Sequence, residues 1–198
     1  MLADHGARRE VAQALLEGVG WLRAELGSRV PGASVLIQVD EPSLVAVADG
    51  AIPTASGFSK HRRVDEPELV AALQPFGHAG WLHCCAPGRW LDVARRAGFA
   101  GVAVDSRLAD LDDLAQWIDE ARGLCLGVVR TDQPTRQGVD DLVRESLRVL
   151  RAVQADVYPG LLLGTACGLA GWSQRDVAPQ LEALTRAASL VEESLARG

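Results

Sequence analysis

Short apolar runs alternate with longer stretches of helical spacing along this chain of 198 residues. The runs are rich in Val, Leu and Ile on successive positions, which is typical of parallel strands covered on both faces. We therefore predict five strands, at residues 34–40, 80–85, 101–106, 125–132 and 160–167.

The intervening stretches repeat apolar residues every three or four positions, which predicts amphipathic helices. Asp4 precedes the first helix and is a suitable N-cap. Residues 43–64 lack a clear period and predict a long loop at the functional edge of the fold. The predicted apolar faces are Val11, Leu15, Val19, Leu22 and Leu26; Leu111, Leu114, Trp117, Ile118 and Ala121; Val139, Leu142, Val143, Leu147, Leu150 and Val153; and Leu181, Leu184, Ala188 and Val191.

This alternation of strands and helices predicts an α/β protein with a parallel sheet covered by helices. A doubly wound sheet and a (β/α) barrel both fit the pattern. The first strand is not followed by a GxGxxG turn, which weakens the case for a dinucleotide-binding sheet. The length suits a single domain over residues 1–198.

Charge and composition exclude several classes of function. The net charge of −6, with no cluster of Lys or Arg, argues against nucleic-acid binding. No apolar stretch approaches the roughly 20 residues of a membrane span, and charges from Asp4 onward argue against a signal peptide. We expect a cytoplasmic protein whose four cysteines are reduced, so metal binding or burial is favoured over disulfides.

Each predicted strand ends in polar or thiol-bearing residues. The carboxyl ends of parallel strands lie on one face of the fold, where the active sites of such folds are found. Five strand ends of this kind therefore indicate a functional edge. They are Asp40-Glu41-Pro42, His83-Cys84-Cys85, Asp105, Arg130-Thr131-Asp132 and Cys167-Gly168.

The second strand end has the residues of a metal site. Side chains alternate along a strand, so His83 and Cys85 project together and Cys84 points away. Asp105 and Cys167, at the ends of later strands, would complete a tetrahedral set. An imidazole, two thiolates and a carboxylate suit zinc. The alternative is that these cysteines are buried as small apolar residues.

Five segments resemble the C-terminal catalytic domain of cobalamin-independent methionine synthase, in the order of that family. The first is similar to its Ile-Gln-(Ile/Val)-Asp-Glu-Pro-Ala-Leu strand, and the second to its His-x-Cys zinc motif. The third ends where the family has a zinc-binding Glu, the fourth is similar to Gly-Val-x-Asp-x-His-x-Pro, and the fifth contains the last zinc-binding Cys. They are IQVDEPSL (37–44), HCC (83–85), VAVDSR (102–107), GVVRTDQP (127–134) and GTACGLAGW (164–172).

The resemblance implies a zinc-dependent methyltransferase in methionine biosynthesis. His83, Cys85 and Cys167 match zinc ligands, and Asp105 stands where the family has Glu. Asp40, with its neighbour Glu41, is implied to bind the substrate through its amino group. The substrate implied is a small thiol of the homocysteine type, which the metal keeps as a thiolate for attack on a methyl donor.

Two features depart from the family and leave the activity open. Asp132 stands at the place of a His that is thought to donate a proton, and an ionised Asp would donate poorly unless its pKa were raised. The large domain that handles folate has no counterpart, so the donor is either a folate or a corrinoid protein. One alternative is a corrinoid-dependent methyltransferase of the uroporphyrinogen-decarboxylase-like barrels. Another is a catalytically inert zinc-binding remnant or subunit.

The resemblance also implies a (β/α) barrel of the TIM type that is incomplete, with about five of its eight βα units. The chain resembles the family from the helix before the fourth strand. An incomplete barrel exposes sheet edges and apolar surface. We therefore expect that the chain pairs with a second copy or another chain, or that the coding start has been placed too late.

Overall fold

Five parallel strands form one sheet in the computed structural model, which describes residues 4–78 and 80–197. Seven helices accompany them in the described part of the chain. The elements are α1 (His5–Arg29), β1 (Gln38–Asp40), α2 (Leu44–Ala48), α3 (Glu66–Gly77), β2 (Trp81–Cys84), α4 (Leu91–Arg96), β3 (Gly101–Asp105), α5 (Leu111–Asp119), β4 (Gly123–Val129), α6 (Val139–Ala152), β5 (Leu161–Thr165) and α7 (Gln174–Ala196).

The strand order distinguishes the two architectures that the sequence left open. The order is β1-β2-β3-β4-β5, and each strand pairs in parallel with the next. A doubly wound sheet reverses its order at a switch point, whereas this sheet advances in one direction throughout. The chain is therefore an α/β protein with an incomplete TIM-barrel-like fold. Within the described residues, β1 and β5 form the two edges of the sheet.

The core lies between the sheet and the helices. Alternate residues of the three central strands point outward and are almost fully buried against helix residues such as Trp117, Leu142 and Leu150. Removal of this apolar surface from water is the main stabilising contribution to the fold. The outward-facing strand residues are Leu82, Cys84, Val102, Val104, Leu124, Leu126 and Val128.

On the opposite face of the sheet, Trp81 covers the amino-terminal ends of the strands. A Cβ atom on Gly101 would lie 2.2 Å from the indole ring, and one on Gly123 would lie 2.4 Å from it. The two glycines therefore make room for the ring over β3 and β4. The polar residues lie at the carboxyl ends of the strands on the same face, which is therefore the place available for the functional site.

Most of the predicted elements are confirmed. All five strands occur within a few residues of their predicted bounds, and the four predicted apolar faces lie on α1, α5, α6 and α7, with Ala121 and Val153 just beyond the helix ends. Asp4 caps α1 through its carboxylate. The predicted loop at 43–64 contains the short helix α2, and α3 and α4 were not predicted. The apolar face of α1 is largely exposed, with Leu15 57% and Leu22 43% accessible.

No helix in the described part of the chain is long and apolar enough to cross a membrane.

Candidate metal centre

His83 lies near the end of β2 and is held in one orientation by the backbone. Its side chain is buried, and its Nδ1 lies 3.1 Å from the carbonyl oxygen of Ala103 on the neighbouring strand. Because a carbonyl only accepts, this contact places the ring proton on Nδ1 and the lone pair on Nε2. Nε2 is buried and has no hydrogen-bond partner among the described residues. A free, buried imidazole nitrogen fixed in this way is arranged as a metal ligand is.

Two thiols complete a cluster with this nitrogen. Ligand atoms of His83, Cys85 and Cys167 all lie within 4.8 Å of one another. Cys85 directly follows β2, and Cys167 follows β5, two strands beyond β3 in the sheet. Cys84 is buried in the apolar core instead. The fold thus brings together three of the four residues that the sequence predicts as zinc ligands.

The surroundings of the Cys85 thiol favour its neutral form. Burial, together with the neighbouring Cys167 thiol, raises the pKa of Cys85 to about 11. The Cys85 thiol is therefore protonated at neutral pH when no cation is nearby. A divalent cation would favour the thiolate form, and one imidazole with two thiolates is a donor set that suits zinc.

Asp105 does not join this cluster. Its buried carboxylate accepts three hydrogen bonds from Arg107: the backbone N–H at 3.0 Å and Nε at 3.2 Å bond to Oδ1, and Nη2 at 2.9 Å bonds to Oδ2. A bidentate guanidinium–carboxylate pair is among the strongest hydrogen-bonded pairs in proteins. The ligand role of Asp105 thus stays a prediction, and the observed partner of its carboxylate is Arg107.

Asp132 lies on the same edge, between two arginines. Arg130 donates from Nε and Nη2 at 3.2 and 2.9 Å, and Nη1 of Arg107 lies 3.4 Å from Oδ1. The hydrogen bonds from Arg130, and secondarily Arg107, lower the pKa of Asp132 to about 2. Asp132 is therefore ionised at neutral pH and holds no proton to donate.

The two predicted substrate-binding residues follow β1 in different ways. Asp40 pairs in register with His83, is exposed, and accepts a hydrogen bond from Nε2 of Gln38 at 2.8 Å. Glu41 accepts from the backbone N–H of Ser43 at 2.9 Å and thereby caps the turn that leads into α2. Asp40 thus lies beside the metal cluster, whereas Glu41 has a partner in its own turn.

Several residues that hold the loops of this edge were not recognised in the sequence. The buried carboxylate of Asp113 accepts from the backbone N–H groups of Trp90 and Leu91, both at 2.9 Å, and so fixes the loop after Cys85. In the sequence, its place in the first turn of a helix is already explained by the favourable interaction of negative charge with the helix dipole, so nothing marks it as a loop anchor. Hydrogen bonds of Ser106 to Glu145 and of Gln137 to Gln180 anchor the next two loops.

Comparison with known proteins supports the same fold. The sequence matches no protein-family model and no curated protein. The structure is similar to that of a B12-independent methionine synthase from Shewanella sp. W3-18-1 in complex with selenomethionine, with a TM-score of 0.64 and 18% sequence identity. The two share a fold. The match covers 96% of this chain and 55% of the other, so this chain spans about half the length of the synthase.

Proposed function

We propose that the chain is a zinc-dependent methyltransferase that transfers a methyl group to a small thiol of the homocysteine type. The single observation that carries the proposal is the cluster of His83, Cys85 and Cys167, whose ligand atoms lie within 4.8 Å of one another at the strand ends. The fold shared with a methionine synthase supports the reaction class. The His-x-Cys spacing and the distant Cys match the zinc ligands of that family in sequence.

Zinc would be held by the free Nε2 of His83 and by the two thiolates. Bound there, it would lower the pKa of a substrate thiol, so that the thiolate is present at neutral pH. The carbonyl of Ala103 holds the His83 ring in its orientation. We assign to the exposed carboxylate of Asp40, beside His83, the binding of the substrate's amino group.

The ionised Asp132 has a different role from the proton donor of the family. Its carboxylate holds Arg107 and Arg130 at the edge of the site. We assign to this group contact with the methyl donor, which is either a methyl-folate or a corrinoid protein. With a methyl-folate, the proton for the leaving nitrogen would then come from water; a corrinoid leaving group needs no proton.

A methyl-transfer assay tests the proposal and separates the donors. The zinc-loaded chain is incubated with homocysteine and either a methyl-folate or methylcobalamin, and methionine is measured by mass spectrometry. We expect methionine with one of the donors, and none with the Cys85→Ser and Cys167→Ser variants. Absence of methionine with both donors, from a chain that binds zinc, would contradict the proposal.

That last result would favour a second candidate function, a zinc-binding subunit without methyl-transfer activity. The observation in its favour is Asp132, which stands at the place of the family's proton-donating His and is paired with Arg130. Such a chain would keep the metal cluster for structure or for interaction with a partner.

A further inference from the structure

Asp105 is the predicted ligand whose surroundings disagree with that role. Its side chain is 7% exposed, and both of its oxygens accept hydrogen bonds from Arg107, which is partly buried with 27% of its side chain accessible. Pairing of this kind is costly to break in a buried site, because it removes the closest partner of a partly buried charge. The carboxylate therefore competes poorly for a role as metal ligand.

Arg107 is in turn held by a second carboxylate. Its Nη1 lies 3.4 Å from Oδ1 of Asp132, which Arg130 binds from the other side. Arg107 thus bridges Asp105 and Asp132 across two neighbouring loops. Movement of Asp105 toward a metal would remove the bidentate partner of Arg107 and leave only this longer contact.

The charges of the cluster favour the same arrangement. Two thiolates balance the charge of a divalent cation, and the neutral His83 ring adds none. A third anionic ligand would make the site negative before a substrate thiolate arrives, and like charges disfavour a further anion. With Asp105 retained by Arg107, the metal site stays neutral until the substrate binds.

We propose that the metal has only three protein ligands, Nε2 of His83 and the thiolates of Cys85 and Cys167, and that Asp105 is kept out of coordination by Arg107. The fourth position is open to a thiol substrate, which binds without displacing a protein ligand, as catalytic zinc sites allow. This deepens the proposed function and rests on its metal site, but not on methyl transfer.

Zinc affinity is the first test, measured by competition with a chromogenic chelator. We expect Asp105→Asn to leave the dissociation constant for zinc within about threefold of the unmutated chain. The matched variants Cys85→Ser and Cys167→Ser should weaken it by more than about 100-fold, beyond what loss of an outer-shell partner costs. A folded Asp105→Asn chain with zinc binding weakened more than about tenfold would overturn the proposal.

A second measurement on the unmutated chain covers the case in which Asp105→Asn does not fold. The Nε–H signal of Arg107 is followed by NMR while one equivalent of zinc is added. We expect the signal to stay in place and remain protected from exchange, because its bond to Asp105 persists. Loss of that signal on zinc binding, or failure of the unmutated chain to bind zinc, would overturn the proposal. Failure of methyl transfer alone would not, since it concerns the reaction.

Discussion

The carboxylate of Asp132 shows how two neighbours decide what one residue can do. Its hydrogen bonds to Arg130 and the weaker contact with Arg107 stabilise the charged form, so the pKa falls to about 2. In the family that the sequence resembles, this position is a His that is thought to be a proton donor. Here the charged carboxylate organises two guanidinium groups at the edge of the site.

The first prediction concerns the titration of Asp132. Carbon NMR should give a pKa near 2, against an ordinary value of 3.8. Because the pKa is lowered in the folded state, the stabilisation from this ion pair is present above pH 3.8 and is lost as the pH falls toward 2. Arg130→Gln should raise the pKa toward 3.8, while Arg136→Gln, which lies outside the pair, should leave it unchanged. A pKa near 3.8 in the unmutated chain would contradict the assignment.

At the scale of single residues, the alternation of side chains along β2 predicted two of the cluster's ligands. It placed His83 and Cys85 on one side and Cys84 on the other, and the common edge of parallel strands brought in Cys167. The pairing of Asp105 with Arg107 could not be predicted in this way. It depends on two side-chain conformations in a loop, for which strand periodicity carries no information.

The elements of the fold place the site through their connecting loops. The loop after Cys85 is tied to α5 by the buried carboxylate of Asp113, which accepts two backbone N–H groups at the start of α4. Trp81, at the other end of β2, packs against the glycines of β3 and β4. The strand that carries His83 is therefore fixed at both ends.

The second prediction tests the loop anchor. Asp113→Ala removes the acceptor for two buried N–H groups, so we expect the free energy of unfolding to fall by about 1–3 kcal/mol. Urea denaturation measures this loss. Asp112→Ala, an exposed change in the same helical turn, should stay within about 0.5 kcal/mol of the unmutated chain. Equal effects of the two substitutions would show that Asp113 does not anchor the loop.

The third prediction concerns the packing of Trp81. Gly101→Ala places a methyl group 2.2 Å from the indole, and we expect a loss of about 1–3 kcal/mol from overpacking. The control is Gly18→Ala in α1, where the added carbon has no neighbour within 4 Å. That change should stabilise the helix by about 0.5–1 kcal/mol. Thermal unfolding compares the two, and an unaffected Gly101→Ala chain would contradict the packing.

Strands were easier to predict than short helices, for physical reasons. The strand cores are continuous apolar runs because helices cover their outer face, and such runs are visible in sequence. The helix α4 has six residues, too few for a period to emerge, and α3 contains Pro67 and Pro75, which indicate a turn when read alone. Tertiary packing, rather than local pattern, decides these two elements.

The whole molecule is a curved sheet that does not close on itself within the described residues. The two edges, β1 and β5, are both without a further strand there, and apolar side chains of α1 lie at the surface. The sequence could predict alternation but not strand order, because both barrel and doubly wound folds share that alternation. The strand order became known only from the pairing of the strands in the structure.

The fourth prediction follows from the apolar surface of α1. Leu15 and Trp21 are 57% and 69% exposed, and exposed apolar surface of this kind favours association. Sedimentation velocity should show association that increases with concentration and is weakened by Leu15→Glu. Leu111→Glu, at an exposed leucine in the first turn of α5, should leave association unchanged. A chain that stays monomeric at all concentrations would contradict the prediction.

The measurement that tests the central claim most directly is the zinc content of the purified chain beside Cys85→Ser and Cys167→Ser. If His83 and the two thiols form a metal site, elemental analysis should find about one zinc per unmutated chain and a clear loss in both variants. No zinc in the unmutated chain after reconstitution, or equal zinc in all three proteins, would contradict the account.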